Sequence, residues 1–411
     1  MRRENGYRQL VVRRGFQFLI KLTTNRPYSP NNDAITLHFF HVDAIRPSQG
    51  QGTLEDTVLV SKEEKPVGRW TAVLEFQQEN ELSVLVTPAA NCIIGRWILE
   101  VDSKAIGSAT SQPASFSAKT PFFILYNAWC PEDQVYLKDE DKRKEYVLND
   151  SGIIFRGNAR EPRPSPWRYA HFEADILECT LYLLNNVAKR INVVAASDPV
   201  EICRALAAVV NDVDDNGVVQ GNWSENFVGG TPPSVWISSG PILTKYYNNK
   251  KPVRYGQCWV FAGVLTTVCR AIGLPTRTIT CYNAAHDTDG SLTVDTVVTT
   301  DGVIDKNYSH DSIWSLVRMT NLSENRYEIK VVLRVDTSSY DGRAAYQVKK
   351  REAMILLKPS EASSPSKTIG IVEHGDIYDI PAVHYIPAGA KNRAPLPFEM
   401  KGSTIPVVAD W

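Results

Sequence analysis

The 411-residue chain contains no Cys-x-x-Cys pair and no His-x-x-x-His pair, which removes the ligand spacing of zinc sites. Its seven cysteines, Cys92, Cys130, Cys179, Cys203, Cys258, Cys269 and Cys281, are odd in number and widely spaced, so free thiols rather than a disulfide framework are expected. No apolar run reaches the roughly 18 to 20 residues of a spanning helix. Met1-Arg2-Arg3-Glu4 opens a charged start without a secretory apolar stretch. The formal net charge is -1, with acids and bases interspersed, which gives no electrostatic case for nucleic acid or an anionic membrane. These absences predict a soluble protein with no transmembrane segment and no nucleic-acid partner, cytoplasmic or exported without a signal peptide. Four Asn-x-Ser sequons, at Asn149, Asn222, Asn307 and Asn321, are then expected to be unmodified.

The chain has room for two or three domains. From Gln9 to about Tyr126, short apolar or alternating runs (Phe16 to Leu22, Ile35 to Phe40, Thr71 to Phe76, Leu82 to Val86, Arg96 to Val101) are separated by turn clusters such as Ser29-Pro30-Asn31-Asn32-Asp33. That pattern predicts an antiparallel β-sandwich. After Asn127 the period changes, with Phe172, Ile176, Leu177, Leu181 and Leu184 on one helical face. Asp198-Pro199-Val200-Glu201 reads as a helix start, Asp198 being the N-cap, Pro199 the first helical residue and Glu201 the closing partner of a capping box. Arg277 to Tyr282 and Leu292 to Thr299 read as strands. Ile329 to Val335 and Ala353 to Leu357 are β-runs, and Pro359 to Ser366 is a polar loop rich in Pro and Ser.

The stretch Arg254-Tyr255-Gly256-Gln257-Cys258-Trp259-Val260-Phe261-Ala262 sets one cysteine at the mouth of an apolar helix, which Gly273 and Pro275 stop. At a helix N-terminus the unsatisfied N–H groups and the positive end of the dipole favour a thiolate. Position alone leaves Cys258 readable as a small buried hydrophobe. The local sequence decides for a nucleophile.

Gly-Gln-Cys-Trp-Val-Phe-Ala resembles the active-site motif of the transglutaminases, calcium-dependent acyltransferases that join protein glutamine to lysine. The likeness runs from near the N-terminus to Trp314. It is carried in order by Asn127-Ala128-Trp129-Cys130-Pro131-Glu132-Asp133, Glu145 to Gly152, Asp214-Asp215-Asn216-Gly217, Gly221-Asn222-Trp223-Ser224 and Ala285-His286-Asp287-Thr288-Asp289-Gly290. The resemblance implies a multidomain α+β protein. An immunoglobulin-like β-sandwich is expected over 1–126, a truncated papain-like cysteine transferase core over 127–315, and a β-barrel or sandwich over 316–411. Met319 to Ser323 and Lys330 to Val335 are expected as barrel strands.

In that family Cys258 is the nucleophile and Trp236 the residue whose indole N–H stabilises the tetrahedral intermediate. The family's His-Asp-Ser-x-Trp segment is followed by a catalytic histidine and later by its orienting aspartate. Here His310-Asp311-Ser312-Ile313-Trp314 runs into Ser315-Leu316-Val317, and Val317 stands at the histidine's place. Impaired turnover and uncovered apolar faces on the Cys258 helix are the expected consequences. His286, His310, His374 and His384 carry no sequence argument as substitute bases.

Asp287-x-Asp289-x-Ser291-x-Thr293 places alternate oxygen-bearing side chains on one side of an extended loop, a pattern suited to a hard cation. It lacks the EF-hand positions for glycine and the terminal glutamate. The resemblance implies calcium there, closed by Asp311, and a second site at Ala208 (through its carbonyl), Asn211 and Asp215, where Val213 replaces an expected asparagine. The implied partners are protein substrates bearing Gln and Lys, or small amines. The alternative function is a non-catalytic, calcium-responsive scaffold or binding protein of the same family.

Overall fold

The computed structural model describes residues 2–4, 7–60, 68–106, 114–158, 160–173, 175–188, 192–286, 304, 309, 312–321, 327–340, 345–359 and 395–402. It describes side chains for those within 10–282 apart from 214 and 215, and for 304 and 309. A short hairpin, β1 (Arg2–Glu4) and β2 (Tyr7–Gln9), precedes β3 (Val11–Arg13), β4 (Phe18–Thr23), β5 (Asp33–His41), β6 (Leu54–Val60), β7 (Thr71–Gln78), β8 (Glu81–Thr87), β9 (Gly95–Ala105), β10 (Ala114–Ser117) and β11 (Phe122–Leu125). The order β3-β11-β9-β5-β6-β7-β8-β4, with β10 on β9, forms the N-terminal β-sandwich. β6 belongs to both layers: Leu54 to Val58 pair antiparallel with β5, and Leu59 and Val60 pair parallel with β7. The period-2 pattern of β5 turns Ile35, Leu37 and Phe39 inward against Leu82, Val84 and Val86 of β8. Each such burial is worth about 1.5–3 kcal/mol. Phe39 stacks on Trp70 at 4.6 Å, and Trp70 meets Trp97 at 5.2 Å.

A buried ion pair ties the sandwich to the segment that leaves it. Arg14 Nε and Nη2 each donate to the Asp133 carboxylate at 2.6 Å, and both side chains are fully buried. Arg14 Nη1 reaches the carbonyls of Cys92 and Ser197, while Asp133 also accepts from the N–H groups of Asn127 and Val135. Both carboxylate oxygens and all three guanidinium nitrogens are thus engaged, which is the condition for a tolerable buried charge.

The second unit begins with the short α1 (Glu140–Arg143) and the hairpin β12 (Ser151–Gly157) and β13 (Pro162–Arg168). Next come α2 (Ile176–Tyr182), prolonged by a π-helical turn to Val187, then α3 (Pro199–Val210), α4 (Asp212–Asp215), β14 (Val219–Gly221), α5 (Gly240–Asn249), β15 (Val253–Gly256) and α6 (Cys258–Ala271). β16 (Thr276–His286) and β17 (Ser312–Asn321) pair antiparallel. The last described elements are β18 (Tyr327–Tyr340), β19 (Ala345–Pro359) and β20 (Pro395–Gly402), a three-stranded antiparallel sheet in the order β19-β18-β20. No helix among the described residues is long and apolar enough to cross a membrane.

Several local expectations change here. Phe172 lies before α2 and is 63% exposed, because the helix starts only after Asp175, which adopts a left-handed φ of 68. Asp198 caps α3 through Val200 N–H, but Glu201 binds Arg204 instead of closing a box, since the Asp198 N–H already donates to Ala195 O. Met319 to Asn321, expected in the barrel, pair with Thr278 to Thr276, so β17 runs as one strand across the 315/316 position. The Cys258 helix is not uncovered: every residue from Val260 to Ala271 is buried, with α3, β16 and β17 against it.

Candidate active site

α6 is positioned from both ends. At its start, β14 and β15 lie parallel, and β15 delivers the chain through Gly256 and Gln257 directly into the helix. Gly256 must be glycine here, as a Cβ would stand 2.4 Å from Val219 Cγ1. Gln257 is extended and its carbonyl accepts from Val260 and Phe261 N–H at 2.8 and 3.2 Å, which closes the first turn. At its far end, Tyr126 N–H donates to Ile272 O at 3.0 Å, and a Cβ on Gly273 (φ +91) would meet the Tyr126 carbonyl at 2.4 Å. Midway, Gly263 receives the Trp167 ring, 2.4 Å from where a Cβ would sit, and Trp167 Nε1 donates to Ser239 Oγ at 2.9 Å.

Cys258 is the first residue of this helix and is half-buried. Standing at the first residue of α6, the thiol lies at the positive end of the helix dipole. Its exposure separates it from the five buried cysteines. Burial pushes the Cys92 thiol up to about 12, and the Cys269 thiol, deep in the core beside Cys203, well above its ordinary range. Cys281, on β16, is the other half-buried, unbridged cysteine among the described residues.

Trp236 lies on the loop between β14 and α5 and packs at the edge of the same core. Its Nε1 donates to the Tyr255 carbonyl at 2.9 Å, so the indole is joined to the strand that leads into Cys258. Other side chains at the helix mouth have no role assigned by sequence. Gln257 Nε2 donates to Asn222 O at 3.0 Å, Trp223 stacks on Phe261 with rings 4° from parallel, and the Arg156 guanidinium covers the Trp259 ring at 4.6 Å. The Gly221-Asn222-Trp223-Ser224 landmark was the available signal for two of these.

The three histidine side chains among the described residues are committed elsewhere. His38 faces Asp56 and Asp102 in the sandwich, His41 faces the Ile94 carbonyl, and His171 faces the Val147 carbonyl. β17 carries Val317 opposite Thr280 and runs against α6.

Of the expected cation ligands, Ala208 and Asn211 meet at the corner between α3 and α4. Asn211 N–H donates to Ala208 O at 3.2 Å, and Asn211 Oδ1 faces the Val213 N–H at 3.4 Å. Asp215 ends α4, with its side chain outside those described. Asp287, Asp289, Ser291, Thr293 and Asp311 lie outside the described residues, as does Leu292 to Thr299. No group of three or more His, Cys, Asp or Glu side chains converges among the described residues.

Residues 3–104 match the model of the transglutaminase family, and residues 233–320 that of the transglutaminase-like superfamily. The chain is 50% identical over 307 residues to annulin of Schistocerca americana, covering 75% of this chain and 39% of annulin. It is 39% identical over 305 residues to human protein-glutamine gamma-glutamyltransferase 4, covering 74% and 42% of the two chains. The crystal structure of red sea bream transglutaminase superposes with a TM-score of 0.66 at 30% identity, covering 83% of this chain and 48% of that one. The chain thus spans about two fifths of the length of these curated relatives. One matched segment falls on the β-sandwich and the other contains the Cys258 helix, in a fold shared with a solved transglutaminase, and the chain belongs to the transglutaminase family.

Proposed function

We propose that this chain is a cysteine acyltransferase scaffold in which the Cys258 thiolate attacks a glutamine carboxamide, expels ammonia and holds the acyl group as a thioester for a lysine or small amine. The observation that carries the reading is the half-buried thiol on the first residue of a helix that is buried from Val260 to Ala271. The Cys258 N–H serves the developing oxyanion, and Trp236 serves it by exchanging its bond to Tyr255 O.

Turnover is impaired in this proposal. Ammonia leaves protonated and the incoming amine is deprotonated, and general acid–base catalysis supplies about 100- to 10,000-fold for such steps. Val317 has no titratable group, and it occupies β17 where the family's histidine belongs. That residue favours the second reading, a calcium-responsive binding protein of the same family that retains the thiol.

Calcium is part of both readings. The Ala208 carbonyl and the Asn211 carboxamide present oxygen donors, the chemistry a hard cation takes. Asp215 completes that set in the proposal, and Asp287, Asp289, Ser291, Thr293 and Asp311 form the other. Bound calcium supplies a fixed positive charge that relieves repulsion among these carboxylates.

Incubation with a fluorescent amine and a glutamine-rich protein, with and without calcium, tests the reading. Incorporation at background with intact calcium binding supports the scaffold. Calcium-dependent incorporation that Cys258→Ala abolishes overturns the impaired-turnover proposal.

A further inference from the structure

Behind the strand that feeds Cys258 lies a cavity of about 680 Å³ whose wall carries three cations and one carboxylate. Lys245 comes from α5, Lys251 from the turn after it and Arg254 from β15, against Asp212 of α4. All three cations are exposed, and none makes an ion pair among the described residues. Arg254 Nε donates to Gln220 Oε1 at 2.6 Å, which orients the guanidinium and leaves its terminal nitrogens available. Asn249 adds an amide donor to the same wall.

The cavity is large enough for a small ligand, but ligand sites of that size are usually floored by apolar and aromatic side chains. Among the described residues of the wall, Pro252 is the single apolar one. Nothing among them stacks on a base or buries a hydrocarbon chain. Among the described residues the excess is two positive charges, presented by a planar fork and two point charges, the pairing that recognises phosphate oxygens. We propose that this cavity binds a small multivalent anion of the phosphate class, one long enough to reach several of these cations at once and carrying no apolar group.

Anion binding here is independent of catalysis by Cys258, although the cavity wall touches the active-site framework at two places. Arg254 of β15 is paired to Gln220 of β14, and the same strand ends at Gly256 before the nucleophile. Asp212 follows Asn211 at the α3–α4 corner. An anion held between α5 and β15 would fasten the strand that sets the start of α6.

Titration calorimetry on the full chain with sodium tripolyphosphate, orthophosphate and hexaglutamate tests it. Tripolyphosphate is expected to bind with one-to-one stoichiometry, orthophosphate at least about tenfold more weakly. The Lys245→Gln/Lys251→Gln variant should lose about tenfold or more in tripolyphosphate affinity, with unchanged circular dichroism, whereas Lys144→Gln should bind as the parent does. Arg254→Lys, which keeps the charge and loses the fork, should fall between them. Amide exchange over residues 253–258 should slow when tripolyphosphate is present. Absence of tripolyphosphate binding, equal binding by the double variant, or tighter binding of hexaglutamate through the same lysines would each overturn the proposal.

Discussion

Trp236 and Tyr255 are joined by a hydrogen bond from the indole Nε1 to the main-chain carbonyl at 2.9 Å, three residues before Cys258. The indole is therefore a strut for the strand as well as a candidate donor to an oxyanion. Trp236→Phe should cost about 1 kcal/mol in urea denaturation from the lost bond. If the donor role also holds, acylation of Cys258 by an activated aryl ester should slow by about 100-fold. An unchanged acylation rate would leave Trp236 with packing alone.

Iodoacetamide should label Cys258 ahead of the buried cysteines, since burial raises the Cys92, Cys130 and Cys269 thiols. Cys281 is the competitor, being half-buried as well. Peptide mapping of parent and Cys258→Ala protein decides between them. Label confined to Cys281 in the parent would remove the argument for an activated thiol at the helix start.

Calcium should raise the melting temperature, and Asp289→Ala should abolish most of that shift, with Asn211→Ala removing a smaller part. A shift that survives both substitutions would place the cation elsewhere.

His171 gives a pH dependence whose sign follows from its burial. Its Nε2 lies 2.9 Å from Val147 O, and burial, aided by Arg270 and Arg13, lowers its pKa to about 4, against the opposing influence of Asp150. The unfolded chain, with an ordinary histidine near 6.5, binds the proton more readily. Stability is therefore complete above about pH 6.5 and is lost as pH falls toward 4, by roughly 3 kcal/mol. His41 is shifted the same way by burial and adds to the slope. His171→Gln should flatten the dependence of melting temperature on pH between 4 and 6.5, and an unchanged profile would contradict the assignment.

Asp133→Ala should destabilise the protein by about 3–5 kcal/mol, the cost of leaving a buried charge alone. Arg14 has no other carboxylate within reach among the described residues. A loss below about 1 kcal/mol, the range of exposed pairs, would mean that water reaches the guanidinium.

The features legible in the sequence were those written in short-range pattern. Alternation marked β5, the start and stop of α6 fell at Cys258 and Gly273, and Asp198 was recognisable as a cap. What escaped reading depends on residues far apart in the chain. The Arg14–Asp133 pair spans 119 positions, β6 divides itself between two layers, and the cover over α6 comes from β17. Apolar character placed Phe172 on a helix that the left-handed Asp175 excludes. Trp236 is a candidate site residue only through family resemblance, because its partner is a carbonyl, and a carbonyl leaves no mark in the sequence.

The anchoring of α6 at Tyr126 makes the helix a ruler. Its 14 residues extend about 21 Å at 1.5 Å each, and the far end is fixed against Tyr126, the residue that follows the last strand of the sandwich. The position of the thiol is thus set from both ends of the helix. One residue inserted between Gly263 and Ala271 would advance the start of the helix by about 1.5 Å and swing it through about 100°, taking Gly263 from the Trp167 ring and Cys258 from the end of β15 together.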